Sequence, residues 1–188
     1  MNTSLDNLIK GETYSSGLLG WRKWKLNGNG QLCPLTSIEP WTTGENIARC
    51  GKKKLDHSDV PNSNCECGLY AHYQPNATFK YIDFNSDPTI FGLVLGRGKV
   101  ELHASGFRAE RMTVLGLING GSLLEKKTIE DYQAFSFDCL SNLINYAESL
   151  ASKNNFISVV DLDPMHSYKK ELCDTIAYKT LDSSGRLN

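Results

Sequence analysis

The sequence predicts an α+β fold: an antiparallel β-sheet over the N-terminal two thirds, interrupted by one long loop, then two C-terminal helices and a short strand. Three observations carry this. Between residues 17 and 118, short runs alternate apolar and polar residues or favour β-branched and aromatic ones, as a half-buried pleated surface requires. Residues 40–68 are rich in Gly, Pro, Asn, Lys and Cys and have neither period. After residue 120, apolar residues recur at the 3.6 spacing of an amphipathic helix.

Taken in order, residues 1–16 are polar and read as a flexible start. In "GLLGWRKWKLNGNGQLCPL", Leu19, Trp21 and Trp24 bracket basic residues, and the Asn-Gly turn joins them to Leu32, Cys33 and Leu35. That is a hairpin signal, with strands at 20–26 and 31–36. "GLYAHY", "FKYIDF" and "TIFGLVLGRGKVELHASGF" continue the sheet, with Gly92, Gly96 and Gly98 marking bulges or a hairpin tip. "RAERMTVLGLI" fits a strand or a short helix. A helix is predicted from Thr128, with Tyr132, Phe135, Cys139, Leu140, Leu143, Ile144, Ala147 and Leu150 on its inner face. "FISVVDL" reads as a buried strand, and "SYKKELCDTIAYKTL" as a second helix presenting Leu172, Ile176 and Leu181. The predicted organisation is a single domain over 1–188: the start at 1–16, a sheet at 17–118 containing the loop 40–68, and a helical part at 119–188.

The loop contains the most specific chemistry. Cys50, His57, Cys65 and Cys67 form C-x6-H-x7-C-x-C. A segment this long without secondary structure needs something to hold it. Three thiolates and one imidazole make a four-coordinate tetrahedral set for zinc, and binding would supply the stability that apolar burial cannot supply there. The expected cofactor is therefore Zn2+. His72 is an alternative fourth ligand. Two further readings stay open: reduced thiols in a turn, and a redox pair, which across one residue would be strained. Cys33, Cys139 and Cys173 lie among apolar neighbours and read as small buried hydrophobes.

Composition narrows the rest. The chain has 188 residues, 40% hydrophobic and 22% charged, and a net charge of −1, which argues against a general nucleic-acid binder. No apolar run approaches the ~20 residues of a membrane span. The first residues lack a secretory pattern, so a cytoplasmic setting with reduced cysteines is expected. Basic strips lie at Arg22, Lys23 and Lys25, at Lys52 to Lys54, and at Arg97, Lys99, Arg108 and Arg111.

"GWRKWKL", "C……HSDVPNSNCECGLYA" and "GRGKVELHASGFRAE", in this order, resemble a group of uncharacterised bacterial and phage proteins. Those read G-[YW]-R-x-W, then C…H-x-x-P…C-x-C-G-[IL]-Y-A, then G-x-V-x-x-x-G-x-V-x-x-H-x-x-G-[YF]-R-A-E. The resemblance covers about residues 18–118, with a weaker echo at "LASKNNFISVV". It implies a shared scaffold rather than an activity. By position it picks out Trp21, Arg22, Trp24, Cys50, His57, Pro61, Cys65, Cys67, Gly68, Tyr70, His103, Gly106, Arg108 and Glu110. Where the group often has a Trp near the second glycine of the third block, this chain has "LGRG".

A second cluster follows from strand geometry. Glu101 and His103 are two apart and share a face of a regular strand. An acid beside an imidazole, with Arg108 to hold an anion, suits general acid–base work on a phosphate ester. A solvent-facing strand edge is the plainer reading. "VVDLDPMHSY", with Asp161, Asp163 and His166, reads as a capping loop.

Three functions follow in order of support. The first is a zinc-stabilised, non-enzymatic module that binds a protein partner or an anionic, nucleotide-like ligand through Trp21, Arg22, Trp24, Arg97, His103 and Arg108. Its expected setting is that of a phage or bacterial accessory factor acting on a host system. The second is a nucleotide or phosphoester enzyme using His103, Glu101 and Arg108. The third is a nucleic-acid binder that stacks bases on Trp21 and Trp24 with Lys52 to Lys54 on phosphates.

Overall fold

The computed structural model describes residues 14–36, 39–51, 59–75, 88–103 and 105–154. The strands are β1 (Tyr14–Leu26), β2 (Leu32–Cys33), β3 (Glu45–Ile47), β4 (Leu69–His72), β5 (Thr89–His103), β6 (Gly106–Ile118) and β7 (Phe135–Phe137). The helices are α1 (Leu123–Asp131) and α2 (Leu140–Asn154). The class is α+β, as expected. All ladders are antiparallel except β6 with β7, which is parallel. The sequence expectations at "FKYIDF", "FISVVDL" and "SYKKELCDTIAYKTL", and at Lys52 to Lys54, Cys173, Asp161, Asp163 and His166, fall outside the described residues.

The sheet closes on itself. β1 pairs with β5, β5 with β6, β6 with β4, and β4 returns to β1 at Trp21↔His72. The ring is tight because glycines face the Phe107 side chain in its interior. A Cβ on Gly20 or Gly96 would lie 2.5 Å from the Phe107 ring. Phe107 is 1% exposed and packs among Leu18, Ala71, Val94, Val100, Ala109 and Met112. Alternation along β1 then sends Leu19 and Trp21 to the opposite face, under Leu140, Leu143, Ile144 and Ala147 of α2.

α1 closes one end of the ring. Ser122 and Glu125 form a reciprocal capping box at its start. The Thr128 hydroxyl reaches the Gly30 carbonyl at 2.8 Å, and the Tyr132 hydroxyl donates to Trp41 O while accepting from the Leu32 amide. These bonds tie α1 to the Asn-Gly hairpin, which forms with Lys25 opposite Cys33, although its second strand, predicted over 31–36, spans only Leu32–Cys33.

The single helix expected from Thr128 onward is two helices with a strand between. Tyr132 ends α1, Gln133 turns left-handed at φ 52°, and Phe135–Phe137 pairs beside Gly116, Leu117 and Ile118. The apolar spacing that suggested one helix combines three surfaces: Tyr132 in the ring, Phe135 and Phe137 against Tyr146, and the α2 face. Residues 14–16, expected in the loose start, belong to β1. "TIFGLVLGRGKVELH" is one continuous strand with a bulge at Gly98, and "RAERMTVLGLI" lies in β6.

Candidate metal centre and adjoining cleft

Sheet topology brings the cysteines together. β3 and β4 lie end to end along the same side of β6, β4 against residues 106–109 and β3 against 111–113. The end of β3 and the start of β4 therefore meet near Glu110, whose carbonyl accepts the Ala48 amide at 2.7 Å. Cys50 follows β3, and Cys65 and Cys67 precede β4. Their sulfurs all lie within 4.8 Å of one another, a set able to hold a metal ion. Cys50 Sγ and Cys65 Sγ are 3.7 Å apart, far beyond the ~2.05 Å of a disulfide. None of the described cysteines is in a disulfide.

The loop is shaped by local bonds. The Asn62 side chain accepts from the Asn64 amide and its carbonyl from the Cys65 amide, both at 2.9 Å. Gly68, at φ 128°, adopts a backbone that only glycine takes readily, and a Cβ there would press on Arg108 and Pro61. Burial pushes the Cys67 thiol up, the Cys65 and Cys50 sulfurs add to this, and a backbone bond from Asn62 opposes it. A bound cation would reverse that balance by favouring thiolates.

His57 lies outside the described residues. His72, the alternative fourth ligand, is not in the thiol cluster. It sits opposite Trp21, with Nδ1 buried and unpartnered in the protein. Burial chiefly, and then the Arg22 charge, hold its pKa below the usual 6.5, against a bond to the Ser105 backbone. The unfolded chain therefore takes up a proton below about pH 6.5 that the folded chain resists, so stability falls with acidification there and is flat above. His72→Gln is expected to shallow the decline of Tm between pH 7 and pH 5. An unchanged acid limb by calorimetry would count against this.

Beside the thiols, one row crosses three strands: Glu101 on β5, Arg108 on β6 and Tyr70 on β4 are direct cross-strand neighbours. Arg108 is only 3% exposed although it faces outward, because the cysteine loop folds over it. Nη2 meets Glu101 Oε2 at 2.6 Å, and Nε donates to His103 Nε2 at 2.9 Å. Nη1 donates to the carbonyls of Cys65 and Cys67, and Nη2 reaches the Asn62 carbonyl. Burial lowers its pKa, but the Glu101 carboxylate outweighs that and the net direction is up. Glu101 and His103 share a face, as predicted, with Oε1 and Nε2 4.0 Å apart. A cleft of about 570 Å3 opens here, lined by the loop, Tyr70, Glu101, His103 and Arg108.

The remaining expected ligand residues are placed elsewhere. Trp21, 2% exposed, stacks on Phe91 beneath α2, and Trp24, fully buried, meets Trp41 edge-on. Both tryptophans are core and neither offers a stacking surface. Arg97 is exposed on β5 opposite Arg111. Arg22 lies 4.6 Å over the Trp41 ring and donates to the Tyr70 carbonyl; burial lowers its pKa to about 10. Arg108 was expected to hold an anion; instead its donors are taken by the loop, Glu101 and His103. Sequence reasoning missed Asn62, whose Asn-x-Asn spacing before a cysteine was the available signal. It also left Tyr70 without a role: its carbonyl meets Arg22, its ring meets Arg108 at 5.8 Å, and its hydroxyl donates to Glu66 O.

No helix among the described residues is long and apolar enough to cross a membrane. No family model, curated protein or solved structure matches this chain, so the thiol cluster and its cleft rest on their own geometry.

Proposed function

We propose that this chain is a non-enzymatic binding module whose cysteine loop is held by zinc and whose adjoining cleft receives a partner. The observation that carries the reading is the convergence of three thiol sulfurs from either end of the connection between β3 and β4, whose described residues form no helix or strand. The 3.7 Å separation of Cys50 and Cys65 matches the edge of a tetrahedron of thiolates about 2.3 Å from zinc, which is about 3.8 Å. Cys50, Cys65 and Cys67 would hold the ion, with His57 as fourth ligand. When bound, zinc would supply a structural cross-link.

The partner is a protein rather than an anion. Arg108, the cation best placed for an anionic ligand, is spent on the loop, and Tyr70, 45% exposed, offers the cleft an amphipathic aromatic of the kind enriched at interfaces. A cytoplasmic accessory factor from a phage or bacterium, acting on a host protein, fits this reading and the sequence resemblance. Native mass spectrometry of chain purified without added metal or chelator is expected to show one zinc per chain. A metal-free chain with freely titrating thiols overturns the proposal.

A second reading, phosphoester chemistry at His103 and Glu101, is favoured by their shared face in the cleft. It requires His103→Ala to abolish turnover of a nucleotide substrate while leaving the thermal transition in place. We expect no turnover in either protein.

A further inference from the structure

We propose that Arg108 is the positioning residue that joins the metal loop to the cleft, so that metal occupancy at Cys50, Cys65 and Cys67 is read out in the placement and tautomer of His103. This rests on the metal reading above and adds a coupling to it.

The guanidinium lies between two groups of acceptors. On one side are the carbonyls of Cys65, Cys67 and Asn62, all from the loop. On the other are Glu101 Oε2 and His103 Nε2, both from β5. All three nitrogens are used, and the planar fork cannot turn toward one side without losing the other. Two of the loop carbonyls belong to metal-ligating residues. An ion that fixes the Cys65 and Cys67 sulfurs therefore also fixes the acceptors of Nη1.

His103 reports the far end of this arrangement. Arg108 Nε can only donate, so His103 Nε2 must carry the lone pair, and the neutral ring holds its proton on Nδ1. His103 is exposed at the cleft, so that N–H is a donor held there for a hydrogen-bond acceptor on an incoming partner. Without the metal, the loop carbonyls lose their anchor and Arg108 keeps only Glu101 as a firm partner. The guanidinium then turns about Glu101 to bring its vacated N–H donors to water, because buried donors without acceptors are costly. Nε leaves His103 and the ring is released. The coupling is reciprocal: what loosens Arg108 must weaken the metal by the same free energy.

The test uses the whole chain and zinc alone as the probe. Imidazole 15N spectra are recorded with zinc and after chelation. The chain has four histidines, and a His103→Gln spectrum identifies the resonance. With zinc, His103 should show an unprotonated Nε2 and a protonated Nδ1, and chelation should replace this by the averaged pattern of a freely exchanging ring. Arg108→Lys keeps the charge but lacks the fork. It is expected to bind zinc about 10–100-fold more weakly, the usual cost of losing a group that orients metal ligands, and its His103 signals should not respond to zinc. His103 signals that stay put on chelation in the unaltered chain overturn the coupling, even if Arg108→Lys fails to fold. So does an Arg108→Lys chain that folds and binds zinc as tightly as the parent. If the parent binds no zinc, the metal reading fails and the coupling with it; if zinc binds and His103 does not respond, only the coupling fails.

Discussion

With the proposed zinc bound, Cys65→Ser is expected to release it and lower Tm by about 8–16 °C. Cys65 is the buried member of the thiol set and lies against Cys50. Serine offers a hard, neutral oxygen where a soft thiolate is wanted, so the ion loses one of its anchors to the loop. With free zinc about a thousandfold above Kd, binding contributes about 4 kcal/mol to the folded state. For a chain of this size each kcal/mol is worth about 2–4 °C. The loop also covers Arg108, so its release exposes a guanidinium that is now 3% exposed. Cys139→Ser is the control: Cys139 meets the Ser141 hydroxyl at 2.9 Å, outside the thiol set, and the variant should retain both metal and Tm. A Cys65→Ser chain that keeps one zinc and the parent Tm would remove the structural role of the site.

Phe107→Ala is expected to cost about 3–5 kcal/mol, the usual range for deleting a buried aromatic ring. The ring fills the centre of the closed sheet, and its neighbours cannot move in to replace it. Gly20 and Gly96 contribute no side chains, and Ala71 and Ala109 contribute one methyl each. Tyr73, stacked at 6.3 Å, would lose its partner face. The cavity should remain open, which places the cost near the upper end of that range. Urea unfolding should show a lower midpoint with an unchanged slope, the mark of lost stability without a change in compactness. A midpoint within experimental error of the parent would mean that the ring is not the centre of the core.

The legible parts of this molecule were local ones. Asn27 to Gly30 specify a turn by their own backbone preferences, and four candidate metal ligands within eighteen residues stand out against a segment with no period. The α1–β7–α2 break was not legible because no glycine or proline marks it. Gln133 supplies the left-handed residue, and Phe135 happens to fall on the helical spacing. The role of Arg108 depends on register across three strands and on a loop folding over them, and a one-dimensional pattern contains neither. Trp21 and Trp24 misled for a related reason. Beside Arg22, Lys23 and Lys25 they look like a recognition strip, but strand alternation sends one tryptophan to each side of a closed sheet, and both sides are covered.

Among the described strands, the most distant pairings along the chain join β1 to β5, with Leu19 opposite Leu95, 76 residues apart. Contacts that distant slow folding, because the chain between them must lose its freedom before the ladder can form. On a ribosome, β1 emerges well before its partner and must wait with Leu18, Leu19, Trp21 and Trp24 unshielded. Such a strand is open to pairing with another copy of itself. Arg22, Lys23 and Lys25 interrupt the apolar run and repel a like-charged neighbour, acting as gatekeepers. The basic strip at the start of the sheet thus has a use before the native structure exists: it disfavours pairing of the first strand with another copy until the fifth arrives.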